Sequence, residues 1–125
     1  MRGLGSYKIS LFIHLLLHIL QYYKLWYIIM EWKVQFTNIA KKQVQMLNER
    51  VVLALQVLVD NLKTRGPAPG KHWHNYGKLR GKKHEDKRHC HLIKGNPTYV
   101  CCWSVNKPDK KIEVYYVGSH EKAPY

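Results

Sequence analysis

The side chains best suited to proton chemistry lie in the C-terminal run from Arg88 to Tyr125, RHCHLIKG-NPTYVCCWSV-NKPDKK-IEVYYVGSHEKAPY. His91 and His120 stand out, because an imidazole titrates near neutral pH and can both accept and donate a proton. Two imidazoles beside a basic loop are what cutting an RNA phosphodiester needs. One group takes the 2′-hydroxyl proton, a second protonates the departing 5′ oxygen, and cations steady the phosphorane. The two histidines are far apart in sequence, so the fold must bring them together. Three β-type runs are separated by Gly95-Asn96-Pro97 and Asn106-Lys107-Pro108-Asp109, which are turn chemistry. A three-stranded meander would carry His91 in on one strand and leave His120 just after another. Alternation places His89, His91 and Ile93 on one face of the first strand, with Cys90 and Leu92 on the other.

The 125 residues carry 21 basic against 8 acidic side chains, a net charge of +13. So large an excess on one short domain points to a polyanion or an acidic partner. The charge is also concentrated: eight Lys/Arg fall between Lys71 and Lys94, against Glu85 and Asp86, with five histidines in the same window. Nucleic acid is the expected reason for that cluster. Three cysteines, Cys90, Cys101 and Cys102, are an odd number and argue against a disulfide framework. Buried free thiols in a reducing cytoplasm are expected instead. No CxxC or C…H-x₃₋₅-H spacing links these cysteines to His89 and His91, so neither a zinc site nor any other cofactor is expected.

Residues 1–29 differ in character from the rest of the chain. Ile9 to Ile29 is rich in Leu, Ile and Tyr, holds no acidic residue and comes after the charged flank Arg2/Lys8. A signal sequence or membrane span would have that outline. Against it, Ser10, His14, His18, Gln21 and Lys24 recur at helical spacing as a polar stripe, and no small-residue cleavage site follows. His14 and His18 have metal-ligand spacing without a third ligand nearby. The expectation is an apolar or amphipathic helix, or an extension outside the native protein with translation starting at Met30; membrane attachment is not expected. Without residues 1–29 the charge is still +10, three basic residues fewer.

From residue 30 onward the pattern is one domain, 30–125. Trp32–Phe36 alternates as a half-buried strand, and Thr37 and Asn38 can cap the helix after it. Ala40, Val44, Leu47 and Val51 share a stripe, broken at Asn48-Glu49. Val51, Leu55, Leu58, Val59 and Leu62 should pack on a sheet, leaving Val52, Leu53 and Val57 for a second surface. Gly66-Pro67 ends the helix. His72–Lys87 reads as a long basic loop with room for one short strand around Tyr76–Leu79. The expected architecture is α+β: a four-stranded, mainly antiparallel sheet carrying a two-helix layer, in the order β-α-α-β-β-β.

That order, together with Lys78-Leu79-Arg80-Gly81, the strand Arg88–Leu92 and the ending Val114-Tyr115-Tyr116-Val117-Gly118-Ser119-His120, resembles the RelE/ParE superfamily of type II toxin–antitoxin toxins. The resemblance spans Trp32 to Tyr125 and is nearest the histidine-bearing, YafQ-like branch of mRNA interferases. In that branch a strand-two His and a His after a V/T-G-T/S turn take part in mRNA cleavage, with an aromatic residue near the C terminus. His91, His120 and Tyr125 sit at the matching places, Tyr125 five residues after the His where the branch has four. Two features of the branch are replaced: a His before the L-x-G loop by Tyr76 and Gly77, and an acid after the strand-two His by Lys94-Gly95-Asn96.

The resemblance implies a cytoplasmic, metal-independent endoribonuclease that inhibits translation, acting on mRNA with or without the ribosome. His91 is then the general base and His120 the acid, an order the sequence alone leaves reversible, and Tyr125 stacks on a base or orients the scissile nucleotide. Arg80 grips the phosphate, since a guanidinium binds two oxygens at once. Lys78, Lys82, Lys83, Lys87 and Arg88 supply further contacts to RNA. A cognate antitoxin is the expected partner, wrapping the helical pair and the basic loop. Two alternatives differ in class: a ParE-like toxin that binds DNA gyrase without nuclease chemistry, and a basic RNA-binding module without activity.

Overall fold

The computed structural model describes the backbone of residues 3–125; burial is described for residues 8–28 and 30–125. Arg2 of the charged flank lies outside the described residues. The chain divides after Met30, and the second unit is Glu31–Tyr125. The first unit is a single helix, α1 (Gly3–Met30). Along it, large apolar side chains such as Phe12, Leu15 and Trp26 are exposed. No helix among the described residues is long and apolar enough to cross a membrane.

The second unit opens with β1 (Lys33–Phe36), α2 (Asn38–Gln45) and α3 (Glu49–Arg65). Each helix has the start its sequence encodes. Thr37 Oγ1 accepts from Ala40 N at 3.1 Å, and Asn48 Oδ1 accepts from Val51 N at 3.1 Å. These caps satisfy amides that the first turn leaves without partners. Gly66 ends α3 at φ 86°, and an added Cβ would stand 2.9 Å from Trp32 Nε1, so both backbone and packing favour glycine there.

Four further strands follow: β2 (Gly77–Lys78), β3 (Lys87–Ile93), β4 (Tyr99–Asn106) and β5 (Lys111–Ser119). The sheet order is β1-β5-β4-β3-β2, with β1 parallel to β5 and the other pairs antiparallel. The sheet thus has five strands, not the expected four. The addition is the short strand for which Tyr76–Leu79 left room inside the basic loop, where Gly77 and Lys78 pair with His89 and Arg88. Leu79 N extends the pairing by donating to Lys87 O at 2.8 Å.

One face of the sheet carries the helices. Val51, Leu55, Leu58 and Leu62 meet Cys90, Leu92, Cys101, Trp103, Ile112, Val114 and Val117 in a single core. Burying each such side chain is worth about 2 kcal/mol. Leu53 and Val57 remain exposed on α3. The opposite face holds a smaller cluster of Val100, Cys102 and Tyr116, with Tyr115 and Ala123 against it. All three cysteines are free and buried, and burial pushes the Cys102 thiol up to about 12.

Two irregularities set which side chains reach the open face. Between Cys102 and Trp103 the β4–β5 register shifts, so that Cys102 faces Tyr116 and Trp103 faces Val114. The extra residue is Tyr115, and both tyrosines pack on the open side while Val114 and Val117 stay in the main core. A second shift lies between His91 and Ile93. It breaks the expected alternation, and Ile93 packs against the helix-side core rather than beside His91.

Candidate functional site

β3 and the end of β5 bring the two sequence-selected imidazoles together. His91 and His120 meet edge to face, ring centroids 5.3 Å apart. His91 is set by alternation on β3, whose Arg88, Cys90 and Leu92 point into the core. His120 starts a 3₁₀ turn, His120–Lys122, directly after β5. Its amide donates to Thr98 O at 2.7 Å, which fixes the chain as it leaves the sheet. Gly118, just upstream, has no room for a side chain: a Cβ would lie 2.8 Å from Tyr116 Oη and 3.1 Å from Cζ. Tyr116 Oη donates to Ser119 O at 2.6 Å, so the Gly-Ser-His ending is shaped by one buried phenol.

Tyr125 completes the group. Its ring is 6.0 Å from His120 and 4.7 Å from His89. It also lines a cleft of about 480 Å³ with Arg80, Glu85, Lys87, Tyr115 and Gln43. Tyr125 is therefore the residue shared by the imidazole group and the cleft, whereas Arg80 lines the cleft and the imidazole pair does not.

The basic residues separate by face. Lys82 and Lys83 are exposed on the loop after Arg80. Lys87 shares the open face with His89 and His91; its ammonium lies 3.7 Å from Glu85 and 5.4 Å from the centre of the Tyr115 ring. Lys78 pairs in register with Arg88 and so belongs to the helix-side face, away from the imidazoles. Arg88 departs furthest from expectation. It is 6% exposed. Nε and Nη2 donate to Asp86 Oδ1 and Oδ2 at 2.9 and 3.0 Å, and Nη1 donates to Tyr76 Oη at 2.8 Å. A guanidinium so engaged and so buried is a structural ion pair, not a contact for RNA.

Other residues at the site were not selected from the sequence. Asn75, at φ 53°, holds its amide nitrogen 3.3 Å from Nε2 and 3.4 Å from Nδ1 of His91, and donates to whichever nitrogen is unprotonated. His91 N donates to His74 O at 2.8 Å, pinning that loop to the sheet edge beyond β2. The available signal was Asn75 itself, a residue type that tolerates left-handed backbone. Gln43 of α2 accepts from Val117 N at 2.9 Å through Oε1, satisfying β5 where β1 has ended. Nothing in local sequence links residues so far apart.

Burial lowers the pKa of His91, with His120, His89, Lys94 and His74 adding repulsion to its charged form; burial, then His120, lowers that of His89. An unfolded imidazole titrates near 6.5. Between that value and the lowered folded one, the unfolded chain binds more protons, so stability rises with pH. The contribution is complete above 6.5 and is lost as pH falls through the folded pKa. The melting temperature should therefore fall from about pH 7 to about pH 5, and His89→Gln should make that fall shallower. An unchanged slope in the variant would contradict the burial of a neutral imidazole.

No protein-family model matches the chain, and no curated protein does. Solved structures do resemble it. A chain of the archaeal RelE–RelB complex from Pyrococcus horikoshii is 23% identical, over 75% of this chain and 100% of that one, with a TM-score of 0.61. A metal-bound toxin from Helicobacter pylori is 18% identical over 73% and 97%, TM-score 0.54. The isolated E. coli RelE toxin is 24% identical over 74% and 88%, TM-score 0.50. At these identities the likeness establishes a RelE-like fold.

Proposed function

We propose that Glu31–Tyr125 is the toxin of a type II toxin–antitoxin system and an endoribonuclease that cuts mRNA in the cytoplasm without a metal, nearest in kind to the YafQ-like mRNA interferases. The observation that carries this is the His91–His120 pair, 5.3 Å apart and adjoining Tyr125. At that separation both imidazoles can reach oxygens of one phosphodiester. The RNA's own 2′-hydroxyl is the nucleophile, and His91, held neutral by burial and by its cationic neighbours, takes its proton. For that transfer the 2′-hydroxyl displaces the Asn75 amide from the acceptor nitrogen of His91. The 2′ oxygen bonds to phosphorus, the bond to the 5′ oxygen breaks, and protonated His120 gives that oxygen its proton. The products are a 2′,3′-cyclic phosphate and a 5′-hydroxyl. Arg80 and Lys87 line the cleft that Tyr125 also lines and provide positive charge for the RNA backbone, with Lys82 and Lys83 on the adjoining loop.

The helix layer supports the second half of the proposal, a small cognate antitoxin. A groove of about 450 Å³ between β1, α2 and α3 is lined by Phe36, Val44, Val52 and Val59, and Leu53 and Val57 are exposed on the same helix. An amphipathic segment with acidic residues would suit that surface and the charge beside it. The Pyrococcus horikoshii structure is itself a RelE–RelB complex.

The test is the purified chain in a translation extract, with primer extension mapping the mRNA. New 5′ ends that depend on the protein are expected. Intact mRNA together with inhibited DNA supercoiling would replace the nuclease reading with gyrase binding.

A further inference from the structure

Tyr125 is the last residue of the chain, 49% exposed, at the end of a tail that has left the 3₁₀ turn. Ala123 packs on the small open-face cluster and so fixes where the tail runs. The orientation of the phenol ring depends on the rings it meets. His120 meets it edge-on at 6.0 Å, and His89 lies closer, at 4.7 Å with a 40° tilt. Both distances fall in the range of attractive aromatic pairs.

The surroundings of His89 fit a support for that ring. Its partner on the β4 side is Cys102 and on the β2 side Gly77, which places no side chain beside the imidazole; a Cβ there would come only to 3.8 Å from Nε2. Nδ1 is buried and has no hydrogen-bond partner among the described residues. An unpaired buried nitrogen costs stability, so the imidazole is not explained by hydrogen bonding within the sheet.

We propose that His89 is the positioning residue for Tyr125, holding the phenol against His120, one ring of the imidazole pair. The consequence for catalysis rests on the nuclease reading above: a base of the RNA stacks on a Tyr125 that is already in place. Burial keeps His89 neutral, and a neutral ring can lie beside His120 without opposing the proton that His120 must carry.

The experiment compares the full chain with His89→Ala, His89→Gln, His89→Phe, Tyr125→Ala and the His89→Ala/Tyr125→Ala pair. NMR reads contacts between the Tyr125 and His120 rings, and primer extension reads mRNA cleavage. The ring contacts should vanish in His89→Ala and persist in His89→Phe, which keeps an aromatic support. Cleavage should fall about tenfold in His89→Ala and in Tyr125→Ala, and still only about tenfold in the pair, because the two act as one unit. His89→Phe should stay within about twofold of the native rate. Ring contacts that survive in His89→Ala would overturn the proposal, as would additive losses or a His89→Phe as slow as His89→Ala. Should His89→Ala unfold, His89→Gln supplies the same comparison at similar volume. If the native chain cuts no RNA, the nuclease reading falls while the ring contacts still decide the role of His89.

Discussion

Replacing His120 with Ala should slow RNA cleavage by about 10²-fold or more while leaving the melting temperature nearly unchanged. The separation of the two effects follows from where His120 sits. Its side chain is exposed, and what it gives the fold is a backbone amide bonded to Thr98 O, which alanine keeps. His91→Ala should cost a similar factor in rate. It also removes an acceptor from Asn75, so a small loss of stability accompanies it. The double variant should be little slower than the slower single one, since a base without its acid partner has lost most of its use. Cleavage and thermal unfolding measured on the same preparations separate chemistry from packing. Full activity in His120→Ala would remove the acid–base assignment and move the chemistry to Arg80 and the lysines of the cleft.

Arg88→Met should destabilise the domain by about 3 kcal/mol, the largest stability effect expected of a basic residue here. The substitution leaves Asp86 without its bidentate partner and Tyr76 Oη without its donor. An uncompensated charge near a core costs far more than an exposed ion pair is worth. Arg80→Ala should behave in the opposite way. It lies exposed on the cleft wall, so stability should hold while RNA affinity weakens and its salt dependence flattens by about one ion. Denaturant unfolding paired with RNA binding at several salt concentrations tests both. A flattened salt slope and unchanged stability in Arg88→Met would return Arg88 to the RNA-binding surface.

The contrast between these two arginines shows what the sequence could and could not convey. Period-two alternation along Arg88–Leu92 correctly separated His91 from Cys90, and the same alternation placed Arg88 on the core side. The basic surroundings outweighed that signal, although Asp86 two residues earlier was the available hint of a partner. The helical stripe on α3 was readable because four apolar positions recur on one face. The fifth strand was legible only as room for a short strand around Tyr76–Leu79, since two residues carry no periodicity and β2 is defined by its pairing with His89 and Arg88. Bulges are similarly silent. Tyr115-Tyr116 looks like any β pair until the register shift turns both rings to the open face. Contacts such as Asn75 with His91 join segments whose meeting is decided by the whole sheet.

The parallel pairing of β1 with β5 has a consequence for how the protein comes into being. Lys33–Phe36 find their ladder partners only at Lys111–Val114, 78 positions later, and His120 and Tyr125 follow that strand. Contacts this distant in sequence close late and slowly. While the chain is being synthesised, the strand that flanks the helices has no neighbour, and one half of the imidazole pair does not yet exist. The nascent chain therefore cannot assemble this site until β5 and the turn that follows it have been made.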